Sequence, residues 1–273
     1  MSTLARRVVT ALVLLPVFLG ALFLLPPTAF ALFLGVLLLL GAWEWAGLCK
    51  LDVPGTALWL ILIATLAAGL HVADVLFATT VAGVAFWVLA TIAVIRYPRG
   101  AGFWQRRPLR LASGLLVLLP GWAALTTLQA TAGVGPWLVL WTMLMVWSTD
   151  TGAYFAGRAF GRRKLAPAVS PGKTVEGLVG GALAALIVSV AMASVGGLSP
   201  MLMPVVVGVT AVVVASSVVG DLFESLIKRV AGVKDSGTLL PGHGGVLDRV
   251  DATLAAAPVA AVLLALAGPS LGL

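Results

Sequence analysis

The chain is poor in charge. It carries 17 Lys and Arg and 10 Asp and Glu among 273 residues, or 10%, where a soluble domain shows roughly 25%. Its one cysteine, Cys49, cannot form an intrachain disulfide and says nothing about redox compartment. Two histidines leave little room for His-based proton relays, and no His-x-x-x-His pair or cysteine cluster is present for zinc. A Gly-x-Ser-x-Gly elbow is absent as well. The apolar runs are continuous, which excludes an outer-membrane barrel, whose strands alternate over about 10 residues.

What fills the chain instead is hydrophobic residues, 61% of the total. They form repeated runs of about 20 residues, long enough to cross a hydrocarbon core of about 30 Å. The expected fold is an all-α polytopic integral membrane protein. Nine spans are expected, near Val8–Leu25, Ala29–Leu48, Thr56–Leu70, Val75–Ile95, Leu111–Ala130, Pro136–Phe155, Gly177–Val195, Met201–Leu222 and Val250–Gly268. With Met1 in the cytoplasm, the inside segments 1–7, 49–55, 96–110, 156–176 and 223–249 receive all 17 Lys and Arg. The outside connections receive none, as the positive-inside rule requires. The net charge of +7 is therefore a topology and lipid-headgroup signal, and no nucleic-acid partner is expected. Arg6, Arg7, the first apolar run and Ala29-Phe30-Ala31 loosely resemble a signal peptide. The run is long for one and another apolar segment follows at once, so the first span is expected to be retained.

Acids are unevenly placed. Residues 1–149 hold only Glu44, Asp52 and Asp74, while the remainder holds seven. Residues 1–149, with about five spans, are read as scaffold; 150–273 are read as the catalytic region, with cytoplasmic loops 156–176 and 223–249. Tryptophans near span ends, Trp43, Trp45, Trp104, Trp137, Trp141 and Trp147, fit interfacial anchoring. The five arginines of loop 96–110 fit contact with anionic lipid. Gly177-x-x-x-Gly181 fits close helix packing.

Three polar blocks remain. In the first, Asp221, Glu224, Ser225 and Lys228 fall at i, i+3, i+4 and i+7, one face of a helix if the eighth span runs on. A Glu224–Lys228 pair accounts for Glu224; Asp221 lies deepest, after a long apolar run. In the second, Pro241-Gly242-His243-Gly244-Gly245 precedes Asp248, Arg249 and Asp251 at the start of the last helix. One acid there is ordinary dipole complementation. Two beside a Gly-rich turn point to a hard cation, since Mg²⁺ takes one or two carboxylates plus substrate phosphates. In the third, 148–177, Gly172-Lys173-Thr174 looks like the end of a P-loop. Pro167 occupies the place of its upstream glycine, and a helical chain offers no strand before it. What is left is a basic loop able to hold phosphates through Lys173, Ser170 and backbone N–H groups. Carboxylates for a cation beside bases for anions suit phosphoryl or nucleotidyl transfer.

Ser225-x-x-Lys228-Arg229, Lys234-Asp235 and His243-Gly244-Gly245-x-x-Asp248-Arg249-x-Asp251 together resemble the signature of the CDP-diacylglycerol synthase (phosphatidate cytidylyltransferase) family. Ser148-Thr149-Asp150, Ala153-Tyr154-Phe155 and Ser170-Pro171-x-Lys173-Thr174-x-Glu176-Gly177 are similar to that family's other two blocks. Gly172 departs from it, standing where many relatives carry another lysine. The resemblance implies transfer of CMP from CTP to phosphatidic acid, with release of pyrophosphate, at the cytoplasmic side of a bacterial-type inner membrane. It implies Mg²⁺ as one or two divalent ions, with an additional monovalent cation as a further expectation, and a homodimer as a possible assembly. Asp221 and Asp248, with Asp251, are expected at the metal. Asp221, Ser225, Lys228 and Asp248 are the expected catalytic set. Lys173, Ser170, Arg229, Lys234, Asp235, His243, Arg249 and Asp150 are expected at the substrates, His243 doubling as a candidate turn residue. A CTP-dependent polyprenol or phytol kinase and a cation-coupled transporter are the alternatives.

Overall fold

The computed structural model describes residues 3–239 and 244–271, with side chains over 12–239 and 244–268. His243 lies outside the described residues. The elements in chain order are α1 (Thr3–Leu24), α2 (Pro27–Leu48), α3 (Val53–Val72), α4 (Leu76–Arg96), the short α5 (Ala101–Trp104), α6 (Arg107–Gln129) and α7 (Gly135–Phe160). A two-stranded hairpin follows, β1 (Lys164–Ala166) and β2 (Ser170–Thr174), then α8 (Val175–Val195), α9 (Met203–Ala231) and α10 (Leu247–Leu271). Among the described residues, seven helices are long and apolar enough to cross a membrane: α2, α3, α4, α6, α8, α9 with the short turn before it, and α10. The chain is an all-α polytopic membrane protein. The other two long helices are α1, whose apolar stretch runs over Leu12–Leu24, and α7, which carries Asp150.

Local chemistry sets the helix ends. Asp52 caps α3 by accepting from the Gly55 N–H at 3.0 Å, and Thr174 caps α8 by accepting from the Gly177 N–H at 3.1 Å. Gly232, at φ +80°, stops α9 in the left-handed turn that glycine adopts freely. The helix thus runs to Ala231, nine residues past the expected span end at Leu222, so Asp221, Glu224, Ser225 and Lys228 do share one continuous helix.

The interior is built around α10, which packs on α9, α6, α4 and α7. Small residues Ala255, Ala256, Ala257 and Ala260 let its neighbours close in. Phe223 of α9 sits edge-on to Phe86, Trp87 and Trp104, with ring centroids 5.2–5.9 Å apart. Two of the tryptophans expected at the membrane interface are instead internal struts. Trp45 is buried and donates to the Arg110 carbonyl at 2.8 Å, and Trp141 donates to Ser189 Oγ at 2.6 Å. Trp43 and Trp137 stay exposed. Loop 96–110 also does more than meet lipid: Arg110 and Arg107 donate to the Leu48 and Lys50 carbonyls, closing the end of α2. Beside them burial pushes the Cys49 thiol up to about 11, against the opposing pull of Arg110 and Arg107, so it offers no thiolate at neutral pH.

The tightest helix pair is α7 with α8, and glycine explains it. A Cβ added at Gly181 would stand 2.5 Å from the Thr149 carbonyl oxygen, and one at Gly152 would stand 2.6 Å from that of Gly180. Backbone meets backbone there, as the Gly177-x-x-x-Gly181 pattern suggests. Gly181→Ala is expected to force α7 and α8 apart at a cost of about 1–3 kcal/mol. A lowered thermal midpoint in detergent would register it; an unchanged midpoint would count against the close-packing account.

Candidate active site

Polar residues from all three blocks converge on one cavity of about 600 Å³ between α7, the hairpin, α8, α9 and α10. Asp150, Lys173, Asp221, Asp248, Arg249 and Asp251 all line it, with Tyr154 and Arg158 at α7. Four aspartates thus face three bases across a space large enough for a nucleotide's phosphates.

Each wall has a structural cause. The hairpin pairs Lys164 with Thr174 and Ala166 with Ser170. Its far side is tied down by Glu176, which accepts from the Arg162 and Arg163 N–H groups at 3.0 and 3.1 Å. This presents Lys173 to the cavity, where its Nζ lies 2.7 Å from Asp221 Oδ2. The expectation that no strand precedes Gly172-Lys173-Thr174 is wrong, since β1 precedes them and they themselves form the end of β2. The P-loop reading fails regardless: Gly-Lys-Thr is itself strand here, rather than the turn after one.

On α9, Ser225 Oγ donates to Asp221 Oδ1 at 3.4 Å, a long contact four residues along the helix. Lys228 is buried and reaches α10, placing Nζ 2.6 Å from Asp248 Oδ1 and 3.4 Å from Glu224 Oε1. Neither Glu224 oxygen is aligned for a hydrogen bond from Lys228, and its carboxyl faces that of Asp251. The second contact is therefore one of charge, without bond alignment. Asp248 Oδ2 accepts from the Ser236 and Gly245 N–H groups at 3.0 and 2.9 Å, which ties both residues to the head of α10. α9 and α10 touch backbone to backbone at Gly220, where an added Cβ would lie 2.5 Å from the Asp251 carbonyl oxygen. That contact brings Asp221 and Asp251 to the same cavity.

The remaining expected residues sit outside this lining. Arg229 is exposed, and its Nε donates to the Val169 carbonyl at 3.3 Å, linking α9 to the hairpin. Ser170 opens β2, while Lys234 and Asp235 are exposed in the turn after α9. One residue that the sequence reading left in the scaffold enters the site's support: Glu44 of α2, buried beneath the start of α10. Its signal was faint, a lone acid between two tryptophans in an otherwise uncharged span.

The donors on offer are carboxylate oxygens, hard ligands that suit Mg²⁺. Among the described residues no group of three side chains stands ready as a cation cage. That fits an ion that takes one or two carboxylates and completes its shell with substrate phosphates and water. Asp221, Asp248 and Asp251 present such groups at the cavity, Asp221 held by Lys173 and Asp248 by Lys228 and two backbone N–H groups.

The chain matches the cytidylyltransferase family over residues 5–267. A protein of Pseudomonas aeruginosa named phosphatidate cytidylyltransferase is 46% identical over 268 residues, covering 97% of this chain and 98% of its own. One of the same name from Haemophilus influenzae is 40% identical, covering 93% of this chain and 96% of its own. Another, from Staphylococcus aureus, is 45% identical over 134 residues, 49% of this chain and 51% of its own. With the match running through every helix that walls the cavity, the chain belongs to the cytidylyltransferase family.

Proposed function

We propose that this protein is a phosphatidate cytidylyltransferase, which joins the CMP part of CTP to phosphatidic acid and releases pyrophosphate. The observation that carries the reading is the gathering of Asp150, Asp221, Asp248 and Asp251 with Lys173 and Arg249 around one cavity, in a chain of this family. The phosphatidate phosphate is already ionised near neutrality, so it attacks the CTP α-phosphorus in line without a strong general base. A new oxygen–phosphorus bond forms, and the bond to the bridging oxygen breaks as pyrophosphate leaves.

In this reading Lys173 and Arg249 neutralise phosphate charge from opposite walls of the cavity. Lys173 exchanges Asp221 for a phosphate oxygen as the nucleotide enters. Lys228 keeps Asp248 ionised and in place, and Ser225 steadies Asp221. Arg229, Ser170, Lys234 and Asp235 serve the substrates from the rim, and Asp150 faces them from α7. Asp221 and Asp251, with Asp248, are the side chains that would hold Mg²⁺, which when bound neutralises the triphosphate and withdraws charge from the reacting phosphorus. The same reading puts the N-terminus in the cytoplasm and adds α1 and α7 to the seven apolar helices as spans. It places the site at the cytoplasmic face of a bacterial-type inner membrane, where a soluble nucleotide and a lipid phosphate meet. A homodimer is the assembly it adopts.

Purified protein given CTP, phosphatidate and Mg²⁺ is expected to form liponucleotide and pyrophosphate in equal amounts, and EDTA is expected to stop both. Release of CDP with a phosphorylated lipid would replace this reading with the lipid-kinase one.

A further inference from the structure

Glu44 is the only charged residue in α2. Acids within membrane helices are costly, on the order of 2.5–3.5 kcal/mol at the bilayer centre, and persist where they have partners. Glu44 is 3% exposed, and among the described residues no Lys or Arg forms an ion pair with it. Its partners lie about 200 positions away in the chain. Oε1 accepts from the Val246 N–H at 2.8 Å, and Oε2 accepts from the Leu247 N–H at 2.7 Å and from Ser236 Oγ at 3.1 Å.

These are the leading amides of α10, whose first turn otherwise leaves its N–H groups without acceptors. The positive end of the helix dipole supplies the charge compensation that no cation provides. Room for the carboxylate is made by two glycines. A Cβ at Gly237 or at Gly245 would come within 2.5 Å of a Glu44 oxygen. Glu44 and Asp248 divide the turn between them: Asp248 takes the Ser236 and Gly245 amides, while Glu44 takes the Ser236 hydroxyl and the next two amides.

We propose that Glu44 is a positioning residue that caps α10 from another helix and so fixes where Asp248, Arg249 and Asp251 stand in the cavity. It touches no substrate and acts through the head of α10. A neutral amide in its place would offer one acceptor and turn an N–H group toward an N–H donor. The kinetic arm of the test rests on the cytidylyl-transfer reading above; the structural arm does not.

In Glu44→Gln, peptides spanning 244–252 are expected to exchange backbone hydrogen at least about tenfold faster, while those of α4 and α6 stay as in the unmutated chain. The kcat is expected to fall at least about tenfold, with the KM for CTP held within about threefold, and Glu44→Asp to recover part of that loss. Unchanged exchange at the head of α10, or loosening spread evenly over the bundle, would overturn the proposal. So would a kcat within about twofold of the unmutated chain. If Glu44→Gln does not accumulate, Glu44→Asp carries the test. Faster exchange confined to 244–252 supports the proposal, and exchange that is unaltered or raised throughout overturns it. An unmutated chain with no transfer activity would sink the reading of the reaction and leave the exchange result to decide the role of Glu44.

Discussion

Asp221→Asn is expected to lower transfer of label from CTP into lipid by on the order of 10²–10³-fold, while the protein inserts and melts as the unmutated chain does. The two parts of this expectation have separate grounds. The Asp221 carboxylate faces the cavity with its side chain 30% exposed, and Lys173, its one ion-pair partner among the described residues, is 26% exposed. A pair this accessible to solvent contributes only about 0–1 kcal/mol to stability, so its loss leaves the fold intact. Its loss from the site is another matter: the amide is neutral and offers a poorer ligand to the hard cation that would offset the charge of the triphosphate. Asp248→Asn is a less clean probe, because the Asp248 side chain is buried and also holds Lys228, Ser236 and Gly245. Near-normal turnover by Asp221→Asn, with an unaltered thermal midpoint, would remove Asp221 from the catalytic set.

Much of this site was legible because helical periodicity is local. Asp221, Glu224, Ser225 and Lys228 repeat at the spacing of one helix face, and α9 bears them on that face in a single run to Ala231. The span pattern was legible for the same reason: long apolar runs have no stable alternative to helix in lipid. The hairpin was not. Its second strand reads Ser-Pro-Gly-Lys-Thr, a run of weak strand formers held in place by a partner strand and by α9 through Arg229 and Lys173. Glu44 was hidden more deeply. Two of its three partners are backbone amides, which carry no residue identity, and all three come from the far end of the chain. Trp45 and Trp141 look like interfacial residues by position along their spans. Their indole N–H groups find acceptors inside the bundle instead, a choice that only packing decides.

Lys228→Met is expected to have the largest effect on the fold itself. The Lys228 side chain is 10% exposed and lies between two acids buried deeper still, Glu224 at 5% and Asp248 at 7%. Methionine fills a similar volume but leaves both carboxylates without their cation. Removing one member of a buried ion pair costs about 3–5 kcal/mol, because the charge left behind has lost its compensation. For a chain of this size that corresponds to a fall of at least about 6 °C in the thermal midpoint. Asp248 keeps two backbone N–H donors after the change, whereas Glu224 is left facing only another carboxyl, that of Asp251. Glu224 should therefore account for most of the damage. Adding Glu224→Gln to Lys228→Met should raise the midpoint again, although Glu224→Gln alone, which leaves the 2.6 Å Lys228–Asp248 contact in place, should change it little. Transfer activity should not return with stability in the double variant, since Asp248 still lacks the ammonium that orients it. A midpoint for Lys228→Met within about 2 °C of the unmutated chain would mean that the three groups do not act as a unit. The same conclusion would follow if Glu224→Gln had one effect in both backgrounds.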